Sequence, residues 1–221
     1  MNYGAFIFEA DLLSPVEIEE AAELARMLQN EKRPVHDGGR YGDLQWHQVD
    51  LDPDWPIARK ILDQLDAIDP ELLVFYYLEP GAYIHPHRDL TGASLNDRLR
   101  FHVPVITNPD VDFRVSHERV RMTPGDLWCL DTSYRHSVHN GGSETRIHIV
   151  VECTITPKIR AKSPRGIRAK VHSLTYATIL VYSLAKALVV NSFKDPAYLK
   201  AQLGMIARYI RWRFLGTERL K

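Results

Sequence analysis

Between residues 72 and 155, short runs rich in Val, Ile, Leu, Phe and Tyr are cut again and again by Pro and Gly. The runs fall at 72–78, 83–89, 99–106, 111–115, 127–130, 137–140 and 146–155. Pro80-Gly81, Thr123-Pro124-Gly125-Asp126 and Gly141-Gly142 punctuate them. No run is long enough to show a helical period, so each reads as a strand between turns. Many short strands in succession lead to a barrel or a sandwich. A small barrel is the preferred reading, because its mouth can hold a ligand and a metal between strands.

The flanks have a different texture. Residues 3–8 read as one more strand. Ser14, with Pro15 next and Glu17 three positions on, forms a capping-box pattern for a helix whose apolar face is Ile18, Ala21, Ala22, Ala25 and Leu28. Residues 34–54 break the pattern with Gly38, Gly39, Gly42 and Pro53, and Trp46 and His47 fall in that irregular part. A second helix, 56–67, carries Ile57, Ile61, Leu65 and Ile68 at helical spacing. Beyond Pro157 a basic, turn-prone segment (158–170) leads to an apolar stretch, 174–190. That stretch is short for a membrane span and holds Lys186, so it reads as a core helix or a dimer-forming helix. A last helix, 196–214, ends in Arg208, Arg211, Trp212 and Arg213. It either packs back on the barrel or lies on an anionic membrane surface. The expected organisation is a barrel domain with amino-terminal helices over 1–157 and a basic linker with a helical extension over 158–221.

About 45% apolar and 25% charged residues describe an ordinary globular chain, but the charge is divided unevenly. Residues 1–157 carry 26 acidic and 14 basic side chains, and residues 158–221 carry 2 acidic and 14 basic. Either the cationic tail folds back on the acidic body, or it greets an anionic partner. Nucleic acid is the least favoured partner, because no zinc-finger spacing or aromatic RNA-binding motif accompanies the charge. Cys129 and Cys153 are too few for a disulfide framework and lie inside strand runs. With no signal-peptide pattern at residues 1–11, they fit buried thiols in a reducing cytosol.

The chemistry-bearing residues lie in the strand region. His87 and Asp89 stand two apart, His136 is distant, and Arg146 follows it by ten positions. Two imidazoles and a carboxylate suit a non-haem Fe(II) site that keeps coordination positions open. Side chains two apart on a strand share a face. Arg100 pairs in this way with His102, and Arg146 with His148, opposite apolar neighbours. His85 shares parity with His87 and reads as support for it. Arg98 shares parity with Arg100 and reads as a cleft cation or a rim residue. Buried guanidinium groups need anions, and a small dicarboxylate held by a metal and an Arg is an economical one.

Over about residues 72–152 the sequence resembles the aspartyl/asparaginyl β-hydroxylase family of Fe(II)- and 2-oxoglutarate-dependent dioxygenases, relatives of the bacterial proline hydroxylases. The likeness rests on Leu78-Glu79-Pro80-Gly81 with Ile84, Pro86 and His87, and on the run from Asn96 to His102. Trp128, His136, Val138 and Asn140 carry it further, as does Arg146-Ile147-His148. The resemblance implies a mainly β fold with flanking helices and a double-stranded β-helix (jelly-roll, cupin-like) core. It implies iron on His87, Asp89 and His136. Arg146 would receive the C5 carboxylate of 2-oxoglutarate, with Arg100, His102 and His148 beside it. Vertebrate members carry glycine where Asp89 stands. The full triad here resembles the bacterial amino-acid hydroxylases and argues against halogenation, which needs that position vacant.

The implied reaction inserts one oxygen into an unactivated C–H bond of an amino acid, free, peptidyl or carrier-bound (Asp, Asn or Pro-like), and releases succinate and carbon dioxide. Tyr41, Trp46, Tyr76, Tyr83 and Tyr134 are candidate substrate-wall residues. Two further readings stay open: hydroxylation of a lipid acyl chain at a membrane surface, and a non-catalytic cupin-like binding module.

Overall fold

The structure is a computed structural model that describes residues 4–35, 45–89, 98–116 and 118–164, together with part of a helix within 171–190. The chain divides into two compact units, 1–176 and 177–221, and both sheets belong to the first. Tyr41, His117 and the expected helix over 196–214 lie outside the described residues.

Strand β1 (Ala5–Glu9) leads to helix α1 (Pro15–Met27). Ser14 caps α1 as its sequence foretells: its hydroxyl accepts from the Glu17 amide, and the Glu17 carboxylate accepts from the Ser14 amide at 2.8 Å. The residues α1 buries are all alanines, Ala21, Ala22 and Ala25, so the helix axis comes close to the sheet. There the Tyr77 hydroxyl donates to the Ala25 carbonyl at 2.8 Å. A 3-10 turn (Leu28–Glu31) and a short strand β2 (Arg33–Pro34) follow.

Trp46 and His47, expected in irregular chain, stand in a regular strand, β3 (Trp46–Asp50), paired with β4 (Leu72–Leu78). Between them α2 (Pro56–Leu65) buries Ile57, Ala58, Ile61, Leu62 and Leu65. Completely burying an Ile or Leu is worth ~1.5–3 kcal/mol. Asp66 ends α2 in the left-handed region at φ 51°, so Ile68 leaves the apolar face and is 98% exposed.

The remaining strands are β5 (Tyr83–His87), β6 (Arg98–Ile106), β7 (Val111–Val115), β8 (Glu118–Val120), β9 (Leu127–Leu130), β10 (His136–Asn140) and β11 (Arg146–Thr154). Strand β8 is too short to stand out in the sequence. At the entry to β9, Gly125 has φ 85°, and a β-carbon there would lie 2.7 Å from the Leu13 carbonyl oxygen, so only glycine fits. The segment after Pro157, expected as turns, opens with helix α3 (Pro157–Lys162), capped by the Thr156 hydroxyl. Its lysines reach acidic groups on the body: Lys158 lies 3.5 Å from Asp66, and Lys162 pairs with Glu9.

All strand pairs are antiparallel. A major sheet runs β1-β9-β6-β11-β4-β3-β2 and a minor sheet runs β5-β10-β7-β8, the arrangement of a jelly-roll. The major sheet is covered on both faces. Phe75, Tyr77, Phe101, Val103, Ile147, Ile149 and Val151 pack with α1 and α2. On the other face Ala5, Leu78 and Leu130 meet Ile84, Val111, Phe113, Val115 and Val138 of the minor sheet. Arg100, His102, Arg146 and His148 share this inner face, as strand parity requires. Among the described residues, no helix is long and apolar enough to cross a membrane.

Candidate metal and carboxylate site

His87 closes β5 and His136 opens β10, and the two are register partners with ring centroids 4.3 Å apart. Their meeting depends on a β-bulge. From that pair to the next, β10 advances two residues to Val138 while β5 goes back three, to Ile84. The extra residue inverts the alternation. Ile84 and His87 therefore both point between the sheets, while His85 is exposed, edge-on to Tyr83 at 5.0 Å. The expected support from the His85 ring is absent; the residue contributes its carbonyl instead.

That carbonyl fixes a tautomer. His87 Nδ1 lies 2.7 Å from the His85 carbonyl oxygen and His136 Nδ1 lies 3.0 Å from that of Tyr134. A carbonyl only accepts, so each Nδ1 carries a proton and each Nε2 is the nitrogen left to face the site. Asp89 Oδ1 lies 3.3 Å from His87 Nε2, and the ligand atoms of His87, Asp89 and His136 all fall within 4.8 Å of one another. Burial pushes the His136 ring down to about 4, so it is neutral near pH 7. Burial alone would raise the Asp89 carboxyl, but the His87 ring and the Arg100 guanidinium override it and hold the group well below the usual carboxylate range. Two imidazole Nε2 atoms and an anionic oxygen gathered at one point form a donor set for a divalent cation.

Arg146 stands at the start of β11, 3% exposed, beside the Phe113 ring at 5.6 Å. Burial lowers its affinity for the proton, and among the described residues no carboxylate pairs with it. Its Nη2 donates to His148 Nδ1 at 2.9 Å, which leaves the proton of neutral His148 on Nε2. Neither Arg146 Nε nor His148 Nε2 has a hydrogen-bond partner, although both are buried. His102 Nδ1 approaches His148 Nδ1 at 3.4 Å, and burial holds both rings neutral. Arg146 and His148 line a cavity of about 280 Å³ together with Asn108, Phe113, Arg121 and Met122. A buried guanidinium without an anion is costly. Its own Nε–H and the Nε2–H of His148 beside it, both without partners, fit a carboxylate of a small molecule.

Arg100 does not join that cavity. Its guanidinium lies 2.9 Å from Asp89 Oδ2 and 2.7 Å from Glu152 Oε2. Arg98 pairs with Glu71 at 3.2 Å and is a rim residue. His47 shares its side of the sheet with Tyr77, its β4 partner, away from the metal ligands, and lies 4.0 Å from Glu79. Trp128 packs between the sheets with its Nε1 buried and without a partner. Of the other aromatic candidates, Trp46 packs edge-on to Tyr76 at 5.3 Å, Tyr134 is 2% exposed and Tyr83 is exposed.

Glu152 and Asn108 escape the sequence reading, and Asn140 enters it only as part of the resemblance, without a role. Glu152 shares parity with Arg146 and His148, a signal that could have found it. Asn140 and Asn108 clamp the turn between β10 and β11: Asn140 Nδ2 donates to the carbonyls of Leu78 and Glu144, and Asn108 Nδ2 donates to Asn140 Oδ1. That clamp fixes the His136 strand against the Arg146 strand.

Similar folds hold related chemistry. The prolyl-4-hydroxylase of Pseudomonas putida superposes with a TM-score of 0.53 at 16% identity, over 68% of this chain and 92% of that one. HygX of Streptomyces hygroscopicus, solved with nickel and 2-oxoglutarate bound, gives 0.52 at 14% identity over 70% and 84%. SnoN, a non-haem α-ketoglutarate-dependent epimerase of nogalamycin biosynthesis, gives 0.53 at 16% identity over 67% and 76%. No curated protein matches the chain. The model of the aspartyl/asparaginyl β-hydroxylase family matches residues 18–155, more than half of the sequence, and spans every residue of the site. The chain thus belongs to the aspartyl/asparaginyl β-hydroxylase family, enzymes that use Fe(II) and 2-oxoglutarate.

Proposed function

We propose that this protein hydroxylates an amino acid, or an amino-acyl or peptidyl residue of the Asp, Asn or Pro type, at an unactivated C–H bond. The observation that carries the reading is a His–Asp–His donor set and, on the same inner side of the sheets, a buried arginine with no carboxylate partner among the described residues. His87, Asp89 and His136 would hold the iron. Arg146 and the Nε2–H of His148 would receive the far carboxylate of 2-oxoglutarate, and His102 would keep His148 in place. When bound, iron and 2-oxoglutarate together split dioxygen: one atom enters succinate as carbon dioxide leaves, and the other enters the substrate C–H bond.

The chain's own part is placement. Hydrogen bonds to the carbonyls of His85 and Tyr134 lock the two imidazoles in the metal-binding tautomer. Arg146 would orient the cosubstrate through a charge-assisted contact in the cavity it lines. The buried free thiols Cys129 and Cys153 support a reducing, cytosolic setting. The test is to supply anaerobic protein with Fe(II) and 2-oxoglutarate, admit oxygen, and follow candidate substrates by mass spectrometry. A gain of one oxygen on free amino acids or Asp/Asn/Pro peptides, lost in His136→Ala, supports the reading. Hydroxylation confined to other classes contradicts it.

Val171, Leu174, Tyr182 and Val189 are exposed on a helix, and residues 158–221 hold 14 basic against 2 acidic side chains. These observations favour a second reading, in which the enzyme sits on an anionic lipid surface and oxidises an acyl chain. Co-sedimentation with phosphatidylglycerol vesicles and oxygen gain on acylated lipid would select it. Concentration-dependent dimerisation without vesicle binding would assign the same helix to a second copy.

A further inference from the structure

Arg100 is the second guanidinium on the inner face, and each of its three nitrogens already meets a carboxylate. Nε and Nη2 approach Glu152 Oε2 at 3.1 and 2.7 Å, while Nη1 holds Asp89 Oδ2 at 2.9 Å. Glu152 and Arg100 are register partners on β11 and β6, so the pair is built into the sheet rather than formed by chance between mobile side chains. The three side chains are only 8–18% exposed. On the far side of the Asp89 carboxylate, Oδ1 faces His87 Nε2 at 3.3 Å. The two oxygens therefore have separate duties.

We propose that Arg100, backed by Glu152, is a positioning residue that makes Asp89 a one-oxygen metal ligand, and that Arg100 takes no direct part in binding the cosubstrate. The proposal rests on the reading of His87, Asp89 and His136 as the iron site. The geometry supplies the reason. Rotating Asp89 to offer both oxygens to a metal would break its contact with Arg100, and a carboxylate held to one oxygen leaves a coordination position free. The charge balance fits as well. Arg100 alone would cancel Asp89, whereas with Glu152 the cluster stays at net −1 and still favours a cation. Residues that orient a metal ligand through hydrogen bonds typically change metal affinity ~10–100-fold when removed.

The experiment measures dissociation constants for Mn(II), and for 2-oxoglutarate on Mn(II)-saturated protein. The variants are Arg100→Met, Glu152→Gln and the double Arg100→Met/Glu152→Gln. The double variant keeps the cluster at net −1 and strands no buried Glu, so it covers a single variant that fails to fold. It also separates positioning from charge. The expected result is a Mn(II) constant raised ~10–100-fold in the double variant with the 2-oxoglutarate constant within about twofold of wild type. Glu152→Gln should show a smaller loss of metal affinity. An unchanged Mn(II) constant in the folded double variant would overturn the proposal. A selective loss of 2-oxoglutarate affinity there would do so too, by making Arg100 a cosubstrate contact. If wild type and His136→Ala bind Mn(II) alike, the iron-site reading falls first and this inference with it.

Discussion

Two arginines on one face of one sheet, one half-buried and one buried, are treated in opposite ways. Arg100 on β6 has two carboxylates, Asp89 and Glu152, supplied by the chain. Arg146 on the adjacent strand β11 has none among the described residues, only the ring of Phe113, the acceptor nitrogen of His148 and an open cavity. Since a fold cannot cheaply bury an unpaired charge, the paired arginine fits the proposed positioning role and the unpaired one the proposed cosubstrate contact.

The most severe way to probe this division is to remove what the scaffolded side holds. His136→Ala should abolish both Mn(II) binding and product formation, checked by metal titration and mass spectrometry. Next in size, Arg100→Met should lower the unfolding free energy of the metal-free protein by ~3–5 kcal/mol, because it leaves Glu152 and Asp89 buried without their cation. Denaturant titration reads this directly. On the other side, wild type should prefer 2-oxoglutarate over 2-oxobutyrate, which lacks the far carboxylate, by ~2–5 kcal/mol. Arg146→Met should erase that preference, as calorimetry would report. The same substitution should raise the stability of the ligand-free protein by ~1 kcal/mol, opposite in sign to Arg100→Met. A loss of stability from both would end the distinction.

The smallest expected effect lies in the clamp between β10 and β11. A β-carbon on Gly142 would collide with the Asn108 side-chain amide, which lines the Arg146 cavity. Gly142→Ala should weaken 2-oxoglutarate binding a few-fold, worth ~1 kcal/mol, and leave the Mn(II) constant alone.

Much of this was legible beforehand. Alternation on β6 and β11 put Arg100, His102, Arg146 and His148 on one face, and the two-dimensional pattern of a strand needs no tertiary information to do so. The capping box at Ser14 is equally local. What escaped depends on partners far along the chain. His85 was misassigned because a bulge against β10 adds one residue to β5, and no residue in β5 announces it. Parity places Arg100 on the face of Arg146 but does not give its neighbour, and the carboxylate it meets, Glu152, lies 52 residues away. Strand β3 hid behind the glycines that precede it and is held by pairing with β4 rather than by its own pattern. Ile68 kept the helical spacing but lies past the left-handed turn at Asp66.

The central claim, that the unpaired arginine is the cosubstrate's anchor and the paired one is not, is tested most directly by one calorimetric series. 2-Oxoglutarate is titrated into Mn(II)-loaded wild type, Arg146→Met and Arg100→Met/Glu152→Gln. The expected result is one-to-one binding in wild type and in the metal-saturated double variant, and a loss of ~2–5 kcal/mol of affinity in Arg146→Met. Undiminished binding to Arg146→Met would contradict it.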